Sequence, residues 1–372
     1  MKNILFLSSW FPSKVHSTLG NFVKYHAHSA AKFNNIYVLY IVADDTLKNY
    51  KLESFKEENL LITIVYFKRG IFKYYNYWNA FLKGLHFLMK EKAIEFDLVH
   101  MNIMHPGIWQ ALYLYYKHQL PFIVSENWHG FQDLSRYKLS RLQYFLIKKG
   151  FKKSNFICPV SIQLQDCMKK AGYSASYKII PNVVNTNTFK IGEKKTLNSF
   201  TFLHVSTLED SIKNVSGIID AFDKVDIPNA FLKIIGDGPT HWISEKVNNL
   251  KLSNSIIVKG KMNHKDISKE MQMANAFVLF SNIENLPLVL IESMACGTPF
   301  IASNVGGVAE LHNDDVGILV ESGNSKELTL QMELLYSNYK KYDAKIIRQH
   351  AINHYSEEVV GKQFNDLYIE IL

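Results

Sequence analysis

Three cysteines in 372 residues leave too few thiols for a disulfide framework. Cys158, Cys167 and Cys296 are also too scattered for a zinc site, and they suit small core positions in a reducing compartment. Long apolar runs are missing too. No stretch of about 18 apolar residues exists, so no membrane-spanning helix is expected. The opening MKNILFLSSWFPS is apolar only from Ile4 to Leu7 and reads as a first buried strand rather than a leader. No Asp-x-Asp follows a strand-like run; Asp44-Asp45 and Asp314-Asp315 are adjacent pairs in loop-like stretches. A dinucleotide fingerprint is excluded as well, because His241 stands where a third glycine should follow Gly236 and Gly238.

What is present is ordinary for a globular chain: 47% apolar and 20% charged residues, at a length that suits two domains. Charge is shared unevenly. Residues 1 to 185 hold 24 Lys and Arg against 11 Asp and Glu, a balance of +13, whereas the remainder carries −5, giving the net +8. The basic half should face something anionic. Continuous apolar runs alternate with helical stretches: Asn3–Leu7, Ile36–Ile41, Leu61–Phe67, Leu98–Met101, Phe122–Ser125 and Phe156–Val160 read as strands. Asn21–Phe33, Tyr77–Glu95, Ile108–His118 and Ile162–Ala171 read as helices between them. The polar PNVVNTNTF reads as a linker, and the alternation then restarts at Phe200–Val205 and runs to Phe300–Ala302. Such a pattern predicts parallel sheets covered on both faces. The fold class is therefore α/β, with two doubly wound Rossmann-like domains, a hinge near residue 182 and an interdomain cleft.

The stretch FSNIENLPLVLIESMACGTPFIASNVGGVAE carries the most chemistry. Ala276–Phe280 predicts a strand, Pro287 suits a first helical turn, and Gly297 suits the position just past the helix end. The helix N-terminus around Asn285, Leu286, Pro287 and Leu288 favours an anion such as phosphate. Glu292 leans back toward that end and is suited to accept from a ribose diol, while Glu284 in the loop is placed for a sugar. The bland alternative has Glu284 capping the helix and Glu292 on a solvated face.

With its flanks, this stretch resembles the E-x7-E motif of the retaining glycosyltransferases of the GT4 group, which have the GT-B architecture. Glu284 and Glu292 have the motif's spacing. The segment FLHVSTLEDSIKNVSGIIDAF resembles the first strand, loop and helix of the donor domain, where relatives carry an Arg and a Lys on the diphosphate. Lys213 takes the Lys position; Thr207 stands at the Arg position, a departure for which the hydroxyls of Ser206 and Thr207 are candidates to compensate. LKIIGDGPTHW resembles the glycine turn near the nucleotide, through Gly236 and Gly238. The loop at Gly260, Lys261 and Met262 resembles the one that cradles the base. In the N-terminal half, Gly20 matches the first-loop glycine that approaches sugar or diphosphate. Either Asn127 or His129 matches the position of a histidine near the sugar. His100 and His105 read as packed or solvent-facing. The resemblance implies domains at 1–182 (acceptor) and 183–355 (nucleotide sugar), with 356–372 a helix returning to the first.

One feature stands apart. RYKLSRLQYFLIKKGFKKSNF holds Arg136, Lys138, Arg141, Lys148, Lys149, Lys152 and Lys153, interleaved with Leu and Phe, and no Asp or Glu occurs from Leu134 to Gln165. It suits an anionic membrane surface or, equally, the solvated face of a packed helix. No nucleic-acid module accompanies the charge, so nucleic acid is not an expected partner. The resemblance implies a metal-independent glycosyltransferase without a cofactor, while the sparse thiols suit the cytoplasm and the basic run, where it meets lipid, a peripheral place on the inner face of the cytoplasmic membrane. Its expected donor is a UDP- or GDP-sugar and its expected acceptor a lipid-linked or polysaccharide glycan. A GT-B epimerase or phosphorylase, or a non-catalytic sugar-nucleotide binder, remains an alternative.

Overall fold

The structure, a computed structural model, describes residues 1–134, 137, 139–193 and 199–372. The chain forms two units: Met1–Val183 with Glu357–Leu372, and Val184–Ser356.

The first unit runs β1 (Asn3–Ser8), α1 (Asn21–Ala30), β2 (Asn35–Ala43), β3 (Lys51–Glu57), β4 (Leu60–Phe67), α2 (Lys73–His86), β5 (Leu98–Asn102), α3 (Met104–His118), β6 (Phe122–Glu126), α4 (Arg141–Lys153), β7 (Phe156–Pro159) and α5 (Ile162–Lys170). Its seven strands lie in the order β3-β4-β2-β1-β5-β6-β7, and all pairings are parallel except that of β3 with β4. The parallel strands are those expected, because near-continuous apolar runs are buried on both faces. The sequence KLESFKE of β3 gives no such run: it is a charged edge strand, and charge is how an edge resists further pairing. Helix α2 begins four residues earlier than Tyr77, and a π-turn over Phe87–Glu91 ends it.

The second unit holds β8 (Phe200–Ser206), α6 (Asp210–Lys213), α7 (Val215–Phe222), β9 (Ala230–Gly236), α8 (His241–Asn249), β10 (Ile256–Lys259), α9 (His264–Met273), β11 (Ala276–Leu279), α10 (Leu288–Ala295), β12 (Phe300–Ser303), β13 (Gly317–Val320), α11 (Ser325–Ser337) and α12 (Ala344–Tyr355). Its sheet is wholly parallel, in the order β10-β9-β8-β11-β12-β13. This is the 3-2-1-4-5-6 order of a dinucleotide-type Rossmann sheet. The elements after β12 are ones the apolar pattern did not single out.

PNVVNTNTF joins the two units, which divide at Val183 and Val184, and it is anchored to its surroundings. Val183, Val184 and Phe189 are fully buried. Within the second unit, Asn185 Oδ1 accepts from the N–H groups of Asn187 and Thr188 at 3.1 and 2.9 Å. The Arg348 guanidinium donates to the carbonyls of Thr186 (3.0 Å), Phe189 (2.8 Å) and Ala295 (2.5 Å). Polar side chains here fold a tight, anchored segment rather than a solvated tether.

The last helix, α13 (Glu357–Ile371), packs against α1 in the first unit and contributes Val360, Phe364, Leu367 and Tyr368 to its core. His100 on β5 lies between two hydroxyls: Nδ1 is 2.7 Å from Tyr368 Oη, and Nε2 is 2.7 Å from Ser125 Oγ. Complete burial lowers its pKa well below the ordinary value of 6.5, so the ring is neutral. His100 is thus a packed residue that ties α13 to the sheet. Tyr368→Phe leaves one ring nitrogen unpaired in the core and should cost about 1–3 kcal/mol, measured as a lower urea midpoint. An unchanged midpoint would mean that apolar packing alone holds α13.

Candidate functional site

In a sheet of order 3-2-1-4-5-6 the strand order reverses between the first and fourth strands, and the loops leaving them diverge to form a crevice. Here those strands are β8 and β11. The loop after β8 carries Thr207 to Asn214; the loop after β11 carries Phe280 to Pro287. The two are laced together, since Asn282 N donates to Ile212 O at 2.8 Å and Asn282 Nδ2 to Ser211 O at 3.1 Å.

Across this crevice Lys213 Nζ donates to Glu284 Oε1 at 2.6 Å, and Ser281 Oγ donates to the same oxygen at 2.8 Å. Both charged side chains are largely shielded, with side-chain exposures of 18% and 9%. Lys213 ends the short helix α6, and Asn214 follows in a left-handed conformation and caps α7 through Gly217 N. Glu284 therefore pairs with Lys213. Gly307 N donates to the Asn285 carbonyl at 2.7 Å, and a Cβ on Gly306 would collide with the Glu284 carbonyl. The Gly-Gly pair lets the next loop close under the first.

Helix α10 begins at this crevice. Pro287 is its cap residue (φ −68°, ψ 116°) rather than a residue of its first turn, and Gly297 takes the left-handed position after its end (φ +73°). The Arg348 contact with Ala295 O places a cation at the C-terminal end, which complements the helix dipole. Glu292 is buried, with 5% exposure, so a solvated face is excluded. Among the described residues none hydrogen-bonds its carboxylate, and burial pushes its pKa up to about 8.

The turn after β8 is set by a residue that the motifs did not flag. His204 is buried in the middle of β8, its Nδ1 2.9 Å from Val278 O and its Nε2 2.7 Å from Ser206 Oγ. A carbonyl only accepts, so Nδ1 carries the proton and Ser206 Oγ–H donates to Nε2. Ser206 Oγ in turn accepts from Leu208 N at 3.0 Å. The Ser206 hydroxyl proton is thereby committed to the turn. Thr207 is exposed. A Cβ on Gly236 would strike the Ser206 carbonyl and one on Gly238 the Thr207 carbonyl, so both glycines are required where the β9 turn meets the β8 turn. Lys261 and Met262 lie in the loop between β10 and α9.

In the first unit, the candidates sit on loops after β1 and β6. Gly20 precedes α1 at φ +78°, and a Cβ there would meet the Trp10 backbone. Asn127 Nδ2 donates to Asn182 Oδ1 at 3.0 Å, and His129 Nε2 is 2.6 Å from Tyr137 Oη. His105 stacks on Trp128 at 5.1 Å. The residue that organises these loops is Glu126, fully buried at the end of β6. Its carboxylate accepts from Met104 N (2.8 Å), Asn127 N (3.0 Å) and Trp128 N (2.8 Å). Burial raises its pKa to about 7 against the pull of these three N–H groups. An acid closing the apolar run FIVS was the sequence signal for it. Among the described residues no group of three or more His, Cys, Asp or Glu is placed to hold a metal ion.

The chain matches the family "Glycosyltransferase Family 4" over residues 26–188 and "Glycosyl transferases group 1" over residues 185–351. It belongs to this GT4-type family. It is 28% identical to N-acetyl-alpha-D-glucosaminyl L-malate synthase of Bacillus anthracis over 175 residues, 46% of this chain and 45% of that protein. It is 25% identical to the putative teichuronic acid biosynthesis glycosyltransferase TuaC of Bacillus subtilis over 255 residues, 64% of this chain and 61% of that one. The match thus spans about half to three-fifths of these relatives. In fold the chain is similar to sucrose-phosphate synthase from Thermosynechococcus elongatus (TM-score 0.81, 16% identity, 100% of this chain and 99% of the other). It is also similar to Anabaena Alr3699/HepE in complex with UDP (TM-score 0.74, 17% identity, 100% of both chains). The fold is GT-B.

The buried Glu292 makes a stability prediction. Its pKa is raised from 4.5 to about 8 in the folded chain. The folded protein then keeps a proton that the unfolded chain has lost. This contribution to stability is complete below about pH 4.5 and is lost as pH rises to about 8. Glu292→Gln should flatten that decline in denaturant midpoints collected across this range. An identical decline in the variant would show that Glu292 does not cause it.

Proposed function

We propose that this protein is a retaining glycosyltransferase that moves a sugar from a UDP- or GDP-sugar to a lipid-linked or polysaccharide acceptor in glycan biosynthesis. The observation that carries the reading is the Lys213–Glu284 pair, held at 2.6 Å in the β8/β11 crevice where the chain also starts α10. Family membership supports the reaction class. The UDP bound to HepE supports the donor class, and the teichuronic acid biosynthesis named for TuaC supports a glycan acceptor.

In this mechanism the bond between the anomeric carbon and the diphosphate oxygen breaks, and the acceptor hydroxyl oxygen forms the new bond on the same face. The hydroxyl proton passes to the departing diphosphate. Negative charge grows on the leaving group, where the Lys213 ammonium and the positive end of α10 stabilise it. Glu284 holds Lys213 in position, so little reorganisation is needed as that charge develops. Among the described residues none partners the Glu292 carboxyl group, which suits it to the ribose hydroxyls of the nucleotide. Asn127 and His129 are the candidates to contact the transferred sugar, and Gly20, Lys261 and Met262 to line the donor. These groups supply the charge without a metal or cofactor.

Incubation with UDP- and GDP-sugars and glycan-lipid acceptors, followed by NMR of the product anomer, tests the reading. An α-linked product from an α-linked donor is expected; inversion, or epimerised donor without transfer, would overturn it. Lys213→Ala should lower kcat by about 10²–10³ while changing donor affinity far less. An equal kcat would remove Lys213 from the leaving-group role. Activity should persist in EDTA, and loss with rescue by Mg²⁺ or Mn²⁺ would contradict a site that supplies its own charge.

A further inference from the structure

The first unit has two chemically different faces. Connections β4-α2-β5, β5-α3-β6 and β6-α4-β7 all advance across the sheet in one direction, whereas β1-α1-β2 runs the other way. With right-handed crossovers, α2, α3 and α4 therefore cover one face and α1 the other, where α13 joins it. Helices α2, α3 and α4 contain no Asp or Glu at all, yet hold Lys73, Lys83, Lys117, Arg141 and the four lysines of α4. On the opposite face α13 alone carries Glu357, Glu358, Asp366 and Glu370.

The face covered by these three helices also exposes large apolar side chains where the chain enters α2. In KRGIFKYY, Ile71 is 95% exposed, Phe72 71%, Tyr74 79% and Tyr75 65%. Lys68, Arg69 and Lys73 flank them, Arg69 lying 3.8 Å from the Asp45 carboxylate. On α4, Leu142, Tyr144 and Phe145 are exposed beside Arg141, Lys148 and Lys152. Between the two lies an aromatic hollow of about 520 Å³, lined by Trp78, Trp109, Tyr113, Tyr116, Leu146 and Lys149, among others. The four lysines singled out on α4 are not equivalent. Lys149 lies over the rings of Tyr116 (4.7 Å) and Phe145 (5.5 Å), and Lys153 lies over Tyr115 (5.7 Å). Lys148 and Lys152 project to solvent, while Ile147, Gly150 and Phe151 are buried against the unit. Arg136 and Lys138 of the same run lie outside the described residues.

We propose that this face docks on an anionic lipid leaflet, with Ile71 and Phe72 as an inserted wedge and α4 as a basic platform. Single exposed apolar residues are ordinary on a protein surface, but four in five consecutive positions among basic side chains are not. Tyr74, Tyr75 and Tyr144 carry rings suited to the headgroup level, and lysines reach past such rings to phosphates. The complete absence of acid over three helices removes the repulsion that would otherwise oppose a negative surface. Lys149 and Lys153, held over rings, shape the platform, and Lys148 and Lys152 carry its accessible charge. The proposal requires neither donor nor acceptor, so it stands or falls apart from glycosyl transfer.

Co-sedimentation of the full chain with phosphatidylcholine vesicles, with and without phosphatidylglycerol, tests it. Binding should require the anionic lipid and weaken with salt. Each basic group near the leaflet contributes roughly a fivefold change in partition, so Lys148→Gln with Lys152→Gln should lose roughly tenfold or more. Ile71→Ser with Phe72→Ser should abolish the binding that survives high salt. Lys362→Gln, on α13, should change nothing. All these side chains, that of Lys362 included, are exposed, and the variants should unfold at the wild-type temperature. Equal binding to neutral vesicles, wild-type binding by either double variant, or an equal loss in Lys362→Gln would overturn the proposal.

Discussion

The ion pair between Lys213 and Glu284 is the constraint around which the second unit is arranged. It joins the loops that diverge at the strand-order reversal, and it does so with little access to water. Removing one partner of such a pair leaves an uncompensated charge in a desolvated place, which costs far more than losing a surface bridge. The surrounding features serve to keep the two loops in register. Asn282 reaches back to the α6 backbone, His204 fixes the β8 turn through Ser206, and Gly306 lets the loop after β12 pass beneath Glu284. Within this frame a phosphate group would meet a cation already oriented by its carboxylate partner and the start of a helix whose far end is capped by Arg348.

The first unit uses the same fold with a different electrostatic plan. Glu126 gathers three backbone N–H groups from two loops and so determines the path of the chain through Asn127 to His129. A buried carboxyl near its own ionisation point is sensitive to anything that changes local hydration. Helix α13 and the acid-free layer α2–α4 then give the two faces opposite characters. A sheet that needs helices on both sides for its core leaves the outer surfaces of those helices available for unrelated tasks.

The parallel strands of both units were legible because a strand buried on both faces must be apolar throughout. The glycine after α10 was legible because helix ends leave residue-type signatures. Three things were not. The edge strand β3 reads as a charged loop, since an exposed strand has no buried pattern to display. His204 and Glu126 are single polar residues in or at the end of apolar runs, and their importance lies in partners distant in sequence: Val278 for one, Met104 for the other. The anchoring of the linking segment from Pro181 to Phe189 was hidden, because its Asn and Thr residues satisfy local backbone groups, which the same composition does in solvated loops. Ser206 shows the converse: its type suited a phosphate contact, but the hydrogen-bond geometry commits its proton to His204.

The central claim is that the β8/β11 crevice receives the nucleotide diphosphate. Hydrogen exchange of backbone amides with and without saturating UDP or GDP tests it directly. The account predicts slowed exchange in the loop 207–214 and at 284–290, with the amides of the exposed tip 70–75 unchanged. Slowed exchange confined to the first unit, or none in either crevice loop at saturation, would contradict it.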